Sequence, residues 1–246
     1  MLAGDSTGTR GEPPVSRVTT PRAALYSLVR TASRMTDESH YLALAAAYAR
    51  GSLQRPELTD DQAIAAAAGA GLRLHRYKRT GALPRVRRVI GALRGLAASR
   101  LLDVGSGRGA FLWPLLDEMA EADVTAIDLL AHRVADIECV RRGGIARVRA
   151  VQMDACALAL ADDAVDAVTL LEVLEHMPDP GAAIREAVRV AAIAVVASVP
   201  SHADNNPEHI HLFDAKALET LFRAAGSRRV SIDHVLGHIV CVAMVR

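Results

Sequence analysis

The segment Leu101-Leu102-Asp103-Val104-Gly105-Ser106-Gly107-Arg108-Gly109-Ala110-Phe111 constrains the fold of this 246-residue chain more than any other. An apolar run leads into three alternating glycines, and a stretch with amphipathic helical patterning follows. Glycines in such a turn permit positive φ and let the backbone approach a ligand without a Cβ in the way. The free N–H groups of a helix start attract negative charge, such as a carboxylate. Strand, glycine turn and helix in this order open a doubly wound α/β sheet, whose ligands bind at the carboxyl edge of the strands.

The rest of the chain from Arg100 agrees. Short β-branched and apolar runs alternate with helical segments, the pattern of a mostly parallel sheet covered by helices on both faces. Strands are expected at Arg100–Val104, Val124–Ile127, Arg147–Gln152, Ala167–Leu171 and Ile193–Val199. Two later runs, Arg229–Asp233 and His238–Val245, flank a turn at Gly237 and read as a closing antiparallel pair. The expected fold is therefore α/β: a Rossmann-like, mostly parallel seven-stranded sheet with an N-terminal helical extension.

That extension divides into a disordered tail at 1–19, rich in Gly, Ser, Thr and Pro, and a helical N-terminal cap at 20–98; the sheet domain occupies 99–246. Thr20 and Pro21 start a helix through Leu25 and Val29. A second is expected from Asp37 to Arg50, stopping at Gly51. Thr59 with Gln62 fits a capping box opening a third, Ala-rich helix, which Gly69 and Gly71 weaken or end. These helices could form a lid over a site, or serve packing or homodimer formation.

The bulk numbers exclude several classes. At 51% hydrophobic, 23% charged and a net charge of +1, the chain is of ordinary globular composition, and its charge names no partner. No segment approaches the ~20 apolar residues of a membrane helix. Ala187–Val199, the most apolar stretch, contains Arg189 and reads as a helix end followed by a buried strand. The N-terminus lacks the apolar segment of a signal peptide. Cys139, Cys156 and Cys241 are far apart in sequence, which suits a reduced, cytoplasmic protein.

A basic run, Arg73, Arg76, Lys78, Arg79, Arg85, Arg87, Arg88, Arg94 and Arg100, has no intervening acid. It reads either as a surface for a polyanion or as a solvated helix face complementing the acidic stretch from Asp154 to Glu175. Charge runs commonly lie on solvent-facing helices. No aromatic spacing suggests base stacking, so nucleic acid is not expected as a partner.

Acids stand at the tips of successive expected strands. Asp103 lies two residues before the first glycine, Asp128 ends the second strand, and Asp154-Ala155 ends the third. The fourth is followed by Glu172-Val173-Leu174-Glu175-His176-Met177-Pro178. An acid about 20 residues beyond the glycine loop suits two ribose hydroxyls, a feature that dinucleotide sites share. Together these residues resemble the class I S-adenosylmethionine (SAM)-dependent methyltransferases, over about Arg100 to the C-terminus. The resemblance implies that Asp103, Gly105, Ser106, Gly107 and Gly109 form the loop facing the methionine part of SAM. Asp128 and Leu129 would hold ribose and adenine, Asp154 and Ala155 the adenine edge, and Leu171 and Glu172 would lie near the methionine ammonium.

The stretch Glu172 to Pro180 resembles the ubiquinone-pathway O-methyltransferases, which implies a hydroxyl on a small metabolite as acceptor. The (Asp/Asn)-Pro-Pro-aromatic motif of exocyclic-amine methyltransferases is absent after the fourth strand. A hydroxyl acceptor benefits from a general base, for which His176, His209 and His211 are the candidates; each could equally line the pocket mouth. Glu172, Glu175, His176 and His211 also resemble the metal-holding cluster of small-RNA 2′-O-methyltransferases, which would imply a divalent ion acting on a ribose or sugar hydroxyl of a polyanion. Because Glu-x-x-Glu-His is common in metal-free relatives, the expectation is catalysis without metal. A SAM-binding subunit without turnover is the remaining alternative. The polar loop Pro200–Glu208 is expected to carry substrate contacts, and Trp113, the single tryptophan, to pack in the core.

Overall fold

A computed structural model describes residues 35–246. The expected tail and the helix through Leu25 and Val29 lie outside the described residues. Seven strands form one sheet: β1 (Arg100–Val104), β2 (Asp123–Asp128), β3 (Val148–Gln152), β4 (Val165–Leu171), β5 (Ala191–Pro200), β6 (Arg229–Val235) and β7 (His238–Met244). Their order is β3-β2-β1-β4-β5-β7-β6. The first five are parallel, while β7 runs antiparallel to β5 and β6 antiparallel to β7. Strand order reverses beside β1, so the tips of β1 and β4 flank the crevice where such sheets bind ligands.

Helices α1 (Leu42–Leu53), α2 (Asp60–Gly69) and α3 (Pro84–Gly95) precede the sheet. Within it lie α4 (Leu112–Glu118), α5 (Ala131–Arg142), α6 (Pro180–Val190) and α7 (Ala215–Ala224). Local chemistry sets several of their starts. Thr59 and Gln62 close the expected capping box on α2. Asp179 caps α6 through the Ala182 N–H, with Pro180 in the first position, and Asp214 caps α7 through the Ala217 N–H. The segment after the glycine loop turns helical only at Leu112 and runs seven residues, later than the patterning predicts.

Side-chain alternation along the strands feeds two cores. Leu101, Val124 and Ala126 point to the face covered by α3, α4 and α5, with Val89, Ile90, Leu115 and Ile137. Leu102, Val104, Val168 and Val195 point to the other face, against Ile184 of α6 and Phe222 of α7. The helices before β1 share the first core, and α1 lies along α5.

The expected end of the second helix at Gly51 is corrected. The helix begins at Leu42 and passes through Gly51 to Leu53, where Gln54 takes the left-handed cap conformation. Gly51 is needed for contact, since a Cβ there would sit 1.9 Å from the Cys139 carbonyl oxygen. Gly143 faces the Ala47 carbonyl with a similar 1.7 Å. Two glycines thus let α1 and α5 approach backbone to backbone, and Arg50 donates to the Gly143 carbonyl at 2.9 Å.

The basic run is dispersed by this packing. Arg76 pairs with Asp136, Arg79 with Asp117, Arg88 with Asp233 and Arg94 with Glu118. Of the expected acidic complement between Asp154 and Glu175, Asp166 receives Arg100, and Glu172 has Arg85 within 4.0 Å. Trp113 is buried in the core, and its Nε1 donates to the Arg108 carbonyl at 2.9 Å.

Candidate active site

The tip of β1 carries the loop Gly105–Gly109, in which all three glycines have positive φ. Space explains two of them. A Cβ on Gly105 would meet Val173 Cγ2 at 2.7 Å, and one on Gly109 would meet the Trp113 ring at 2.1 Å. Gly107 differs: its nearest neighbour would be the Gly105 carbonyl at 3.7 Å, so that position faces open space.

The loop is tied down from three sides. Gly105 N–H donates to the Ile127 carbonyl at 2.8 Å. Asp103 is buried, and its carboxylate accepts from Ser106 Oγ at 2.6 Å and Thr169 Oγ1 at 2.8 Å. Burial pushes the Asp103 carboxyl up to about 6, the two hydroxyls pull it back, and the Asp128 charge adds to the rise. Asp128, at the tip of β2, accepts from the Gly107 N–H at 3.0 Å and the Leu130 N–H at 2.9 Å. A carboxylate oxygen has two lone pairs, so both Asp128 oxygens keep acceptor capacity. Beside it the side chains of Leu129 and Leu130 are exposed, 61% and 52%. Asp154, at the tip of β3, accepts from the Cys156 N–H at 2.8 Å.

A crevice of about 600 Å³, counting its open mouth, is lined by Asp103, Gly105, Gly107, Leu171, Glu172 and Phe111, with Arg85 and Arg108 at its polar side. Arg85, from the first turn of α3, was legible only as one member of the basic run; nothing in its spacing marks it as a pocket residue. Glu172 follows β4 with φ +55°, a strained conformation for a residue with a Cβ. Its carboxylate accepts from Ser198 Oγ at 2.8 Å, meets His238 Nε2 at 3.0 Å and has Arg85 Nε at 4.0 Å. His238 is a second residue of this network that sequence reasoning did not single out.

Next to the crevice lies a group of ionisable side chains. Glu175 is fully buried, and neither carboxylate oxygen has a hydrogen-bond partner on another residue. Burial pushes its carboxyl up to about 8, and the neighbouring Glu172 and Asp204 charges push the same way. The Glu175, His176 and His209 side chains each offer a ligand atom, all within 4.8 Å of one another. His176 Nδ1 lies 2.9 Å from the Glu208 carbonyl, and His209 Nδ1 lies 2.9 Å from Asp204 Oδ1. Carbonyl and carboxylate oxygens only accept, so each imidazole donates from Nδ1, and in its neutral form it carries its lone pair on Nε2.

His211 is turned elsewhere: its Nε2 donates to the Met177 carbonyl at 2.9 Å. Its backbone N–H and that of Ile210 both donate to the Glu175 carbonyl. Among the described residues the quartet Glu172, Glu175, His176 and His211 is therefore divided, Glu172 going to Ser198 and His238 and His211 to Met177.

Residues 102–193 match the family described as a methyltransferase domain. The chain is similar to the ubiquinone biosynthesis O-methyltransferase of Cupriavidus pinatubonensis, 38% identical over 95 residues, 37% of this chain and 36% of that protein. The protein of the same name from Xanthomonas oryzae pv. oryzae is 39% identical over 109 residues, 41% of this chain and 42% of that one. The chain thus spans about two fifths of the length of the curated relatives it matches. Among solved structures, a SAM-dependent methyltransferase from Aquifex aeolicus superposes with a TM-score of 0.56 at 23% identity, covering 67% of this chain and 91% of that one. Magnesium protoporphyrin IX methyltransferase from Synechocystis PCC 6803, solved with S-adenosylhomocysteine, gives 0.52 at 18% identity, covering 65% and 81%.

Proposed function

We propose that this chain transfers the methyl group of SAM to a hydroxyl of a small acceptor, because it carries a class I SAM-dependent methyltransferase domain and sets a cluster of proton acceptors beside the cofactor crevice. The observation that carries the reading is the crevice itself, where Asp103, the glycine loop and Glu172 meet, with Asp128 bonded to the loop at Gly107.

In this reading the zwitterionic end of SAM lies between Arg85 and the carboxylates of Asp103 and Glu172. The loop amides of Gly105 and Gly107 are already bonded to Ile127 and Asp128, so the guanidinium of Arg85 is the group suited to the methionine carboxylate. Ribose hydroxyls bond the remaining lone pairs of Asp128. The adenine ring covers the exposed Leu129, with Asp154 and the Ala155 N–H at its polar edge. Gly107 leaves open the space that the methionine chain crosses.

Methyl transfer is an in-line displacement: acceptor oxygen bonds to the methyl carbon as the carbon–sulfur bond breaks, and the electron pair stays on sulfur. The sulfonium charge disappears, so rate depends strongly on alignment within an enclosed site. The acceptor proton goes to a nearby base; His176 and His209 present free Nε2 lone pairs, and His211 presents Nδ1. The paired state of Arg76, Arg79, Arg88 and Arg94 favours a small acceptor over a polyanion. Among the described residues no helix is long and apolar enough to cross a membrane, and we place the reaction in the cytoplasm. Residues 35–98 act as the cap, which reaches the crevice through Arg85 and Val86. Two copies joined through it would have to use polar faces, since Leu44 to Ala49 of α1 are buried within the chain.

The test is incubation with SAM and a panel of catechols, phenols and sugar alcohols, followed by S-adenosylhomocysteine release. A crystal with that product showing the crevice empty, or filled by a dinucleotide, would overturn the reading.

A further inference from the structure

We infer that His238 is a positioning residue for the cofactor: it holds the Glu172 carboxylate off Arg85, so that both groups stay available to the amino-acid end of SAM. The inference rests on the proposed seat of that end between Arg85 and Glu172. Three neighbouring strands build the contact. Leu171 of β4 pairs with Ser198 of β5, and Pro200 of β5 pairs with His238 of β7. Positions 198 and 200 are two apart, so alternation puts Ser198 and His238 on one face of the sheet, the face that α3 covers and from which Arg85 enters the crevice. The turn before β7 aims the ring. Gly237 has φ +78°, its carbonyl accepts from the Ser201 N–H at 3.0 Å, and His238 Nδ1 lies 3.1 Å from the Leu236 carbonyl. Nε2 is thereby directed at Glu172 Oε2, to which it donates at 3.0 Å.

Each oxygen of Glu172 then has one donor. Ser198 Oγ takes Oε1 at 2.8 Å, His238 takes Oε2, and the Glu172 N–H donates to the Ser198 carbonyl at 3.0 Å. These bonds hold in place a residue whose φ of +55° is otherwise unfavourable. An ionised carboxylate has room for about four donors, so lone pairs remain for the ammonium of a ligand. Arg85 Nε stands 4.0 Å from Oε1, beyond hydrogen-bond reach, and among the described residues it pairs with no other carboxylate. Without His238 nothing retains Oε2, and the nearest partner open to the carboxylate is the guanidinium, where two parallel N–H···O bonds can form. That closed pair would occupy both the cation meant for the methionine carboxylate and the anion meant for its ammonium. Asp128, which faces the ribose from β2, is not part of this network.

The experiment is calorimetry of the full chain with two ligands: S-adenosylhomocysteine, and 5′-methylthioadenosine, which keeps the adenosine and sulfur and lacks the amino-acid end. His238→Ala should weaken S-adenosylhomocysteine by roughly 10–100-fold, the range of a hydrogen bond to a charged group, and leave 5′-methylthioadenosine unchanged. His238→Gln, whose amide N–H can reach the same oxygen, should restore S-adenosylhomocysteine binding close to the wild-type value. Glu172→Gln should weaken S-adenosylhomocysteine as well, and adding His238→Ala to it should cost little more, because the histidine acts through that carboxylate. Unchanged S-adenosylhomocysteine binding in His238→Ala would overturn the inference and leave the cofactor site standing. Equal loss of both ligands in His238→Ala, without recovery in His238→Gln, would make the histidine a support of the fold and overturn it too. A wild-type chain that binds neither ligand would remove the cofactor reading itself, and this inference with it.

Discussion

Asp103→Asn should stabilise the cofactor-free protein above neutral pH while weakening cofactor binding. The Asp103 carboxyl is 2% exposed and is pushed from an ordinary 3.8 to about 6 by burial. That is a rise of about 2 units, worth about 3 kcal/mol at 1.36 kcal/mol per unit. The sign follows from proton binding. Between the unfolded value near 3.8 and the folded value near 6, the native state holds more protons than the unfolded chain, so stability falls as pH rises through that window. Above about pH 7 the ionised, buried carboxylate costs the full amount. That amount is already net of the Ser106 and Thr169 hydroxyls, which lower the value, and of the Asp128 charge, which raises it. Asparagine keeps the shape and carries no charge, and both hydroxyls can rotate to meet it. Urea unfolding of both proteins at pH values from 4 to 8 measures the effect. The two curves should nearly coincide at pH 4 and separate by about 3 kcal/mol at pH 8, with Asn above. Parallel curves across the range would refute the assignment of a buried, ionising carboxylate at this position. In the same samples, calorimetry with S-adenosylhomocysteine should show weaker binding to the Asn variant, since the ammonium of the ligand favours the ionised form.

Gly107→Leu should abolish binding of S-adenosylhomocysteine while the far-UV spectrum is kept, because the new side chain enters open crevice space; an unchanged dissociation constant in calorimetry would move the ligand elsewhere. Asp128→Ala should weaken cofactor binding by roughly 1–3 kcal/mol through lost charged hydrogen bonds, and it also removes the acceptor of the Gly107 and Leu130 N–H groups. Wild-type affinity in that variant would place the ribose away from β2. Gly51→Ala should force α1 and α5 apart, since its Cβ would meet the Cys139 carbonyl at 1.9 Å; a loss of about 1–3 kcal/mol is expected in urea unfolding, and none would mean that the contact can relax.

The strands were legible because their side chains alternate or run continuously apolar between turn residues. β1 is found where its pattern predicts, and the other six shift by three residues or fewer at any end. The second helix was misplaced because two causes put glycine in the same sequence. Gly51 lies where a C-cap would fall, yet it is there for what packs against it, a carbonyl from residue 139 that local reading does not see. The arginines of α3 met the same limit. A run without acids looks solvated in one dimension, while in three its members find Asp233 and Glu118, and Arg85 turns into the crevice.

The two halves of the site differ in the same way. The cofactor half depends on backbone shape and on one acid per strand tip, features that a strand–turn–helix reading fixes directly. The acceptor half depends on which side chains converge from separate loops. His209 and His211 are two apart on an extended segment, so alternation alone puts both on one side, with Ile210 and Leu212 exposed on the other. What separates them is second-order. The Ile210 and His211 amides fix the segment on the Glu175 carbonyl, Met177 draws off the His211 ring, and Asp204, five residues upstream, turns His209 toward Glu175 and His176. Asp204, which does not line the crevice, therefore sets which of the two histidines faces Glu175 and His176, and in the proposed function that histidine serves the acceptor. Asp204→Asn should accordingly lower kcat for any acceptor far more than Asp204→Glu, with the S-adenosylhomocysteine dissociation constant unchanged in both; equal loss in the two variants would remove Asp204 from that role.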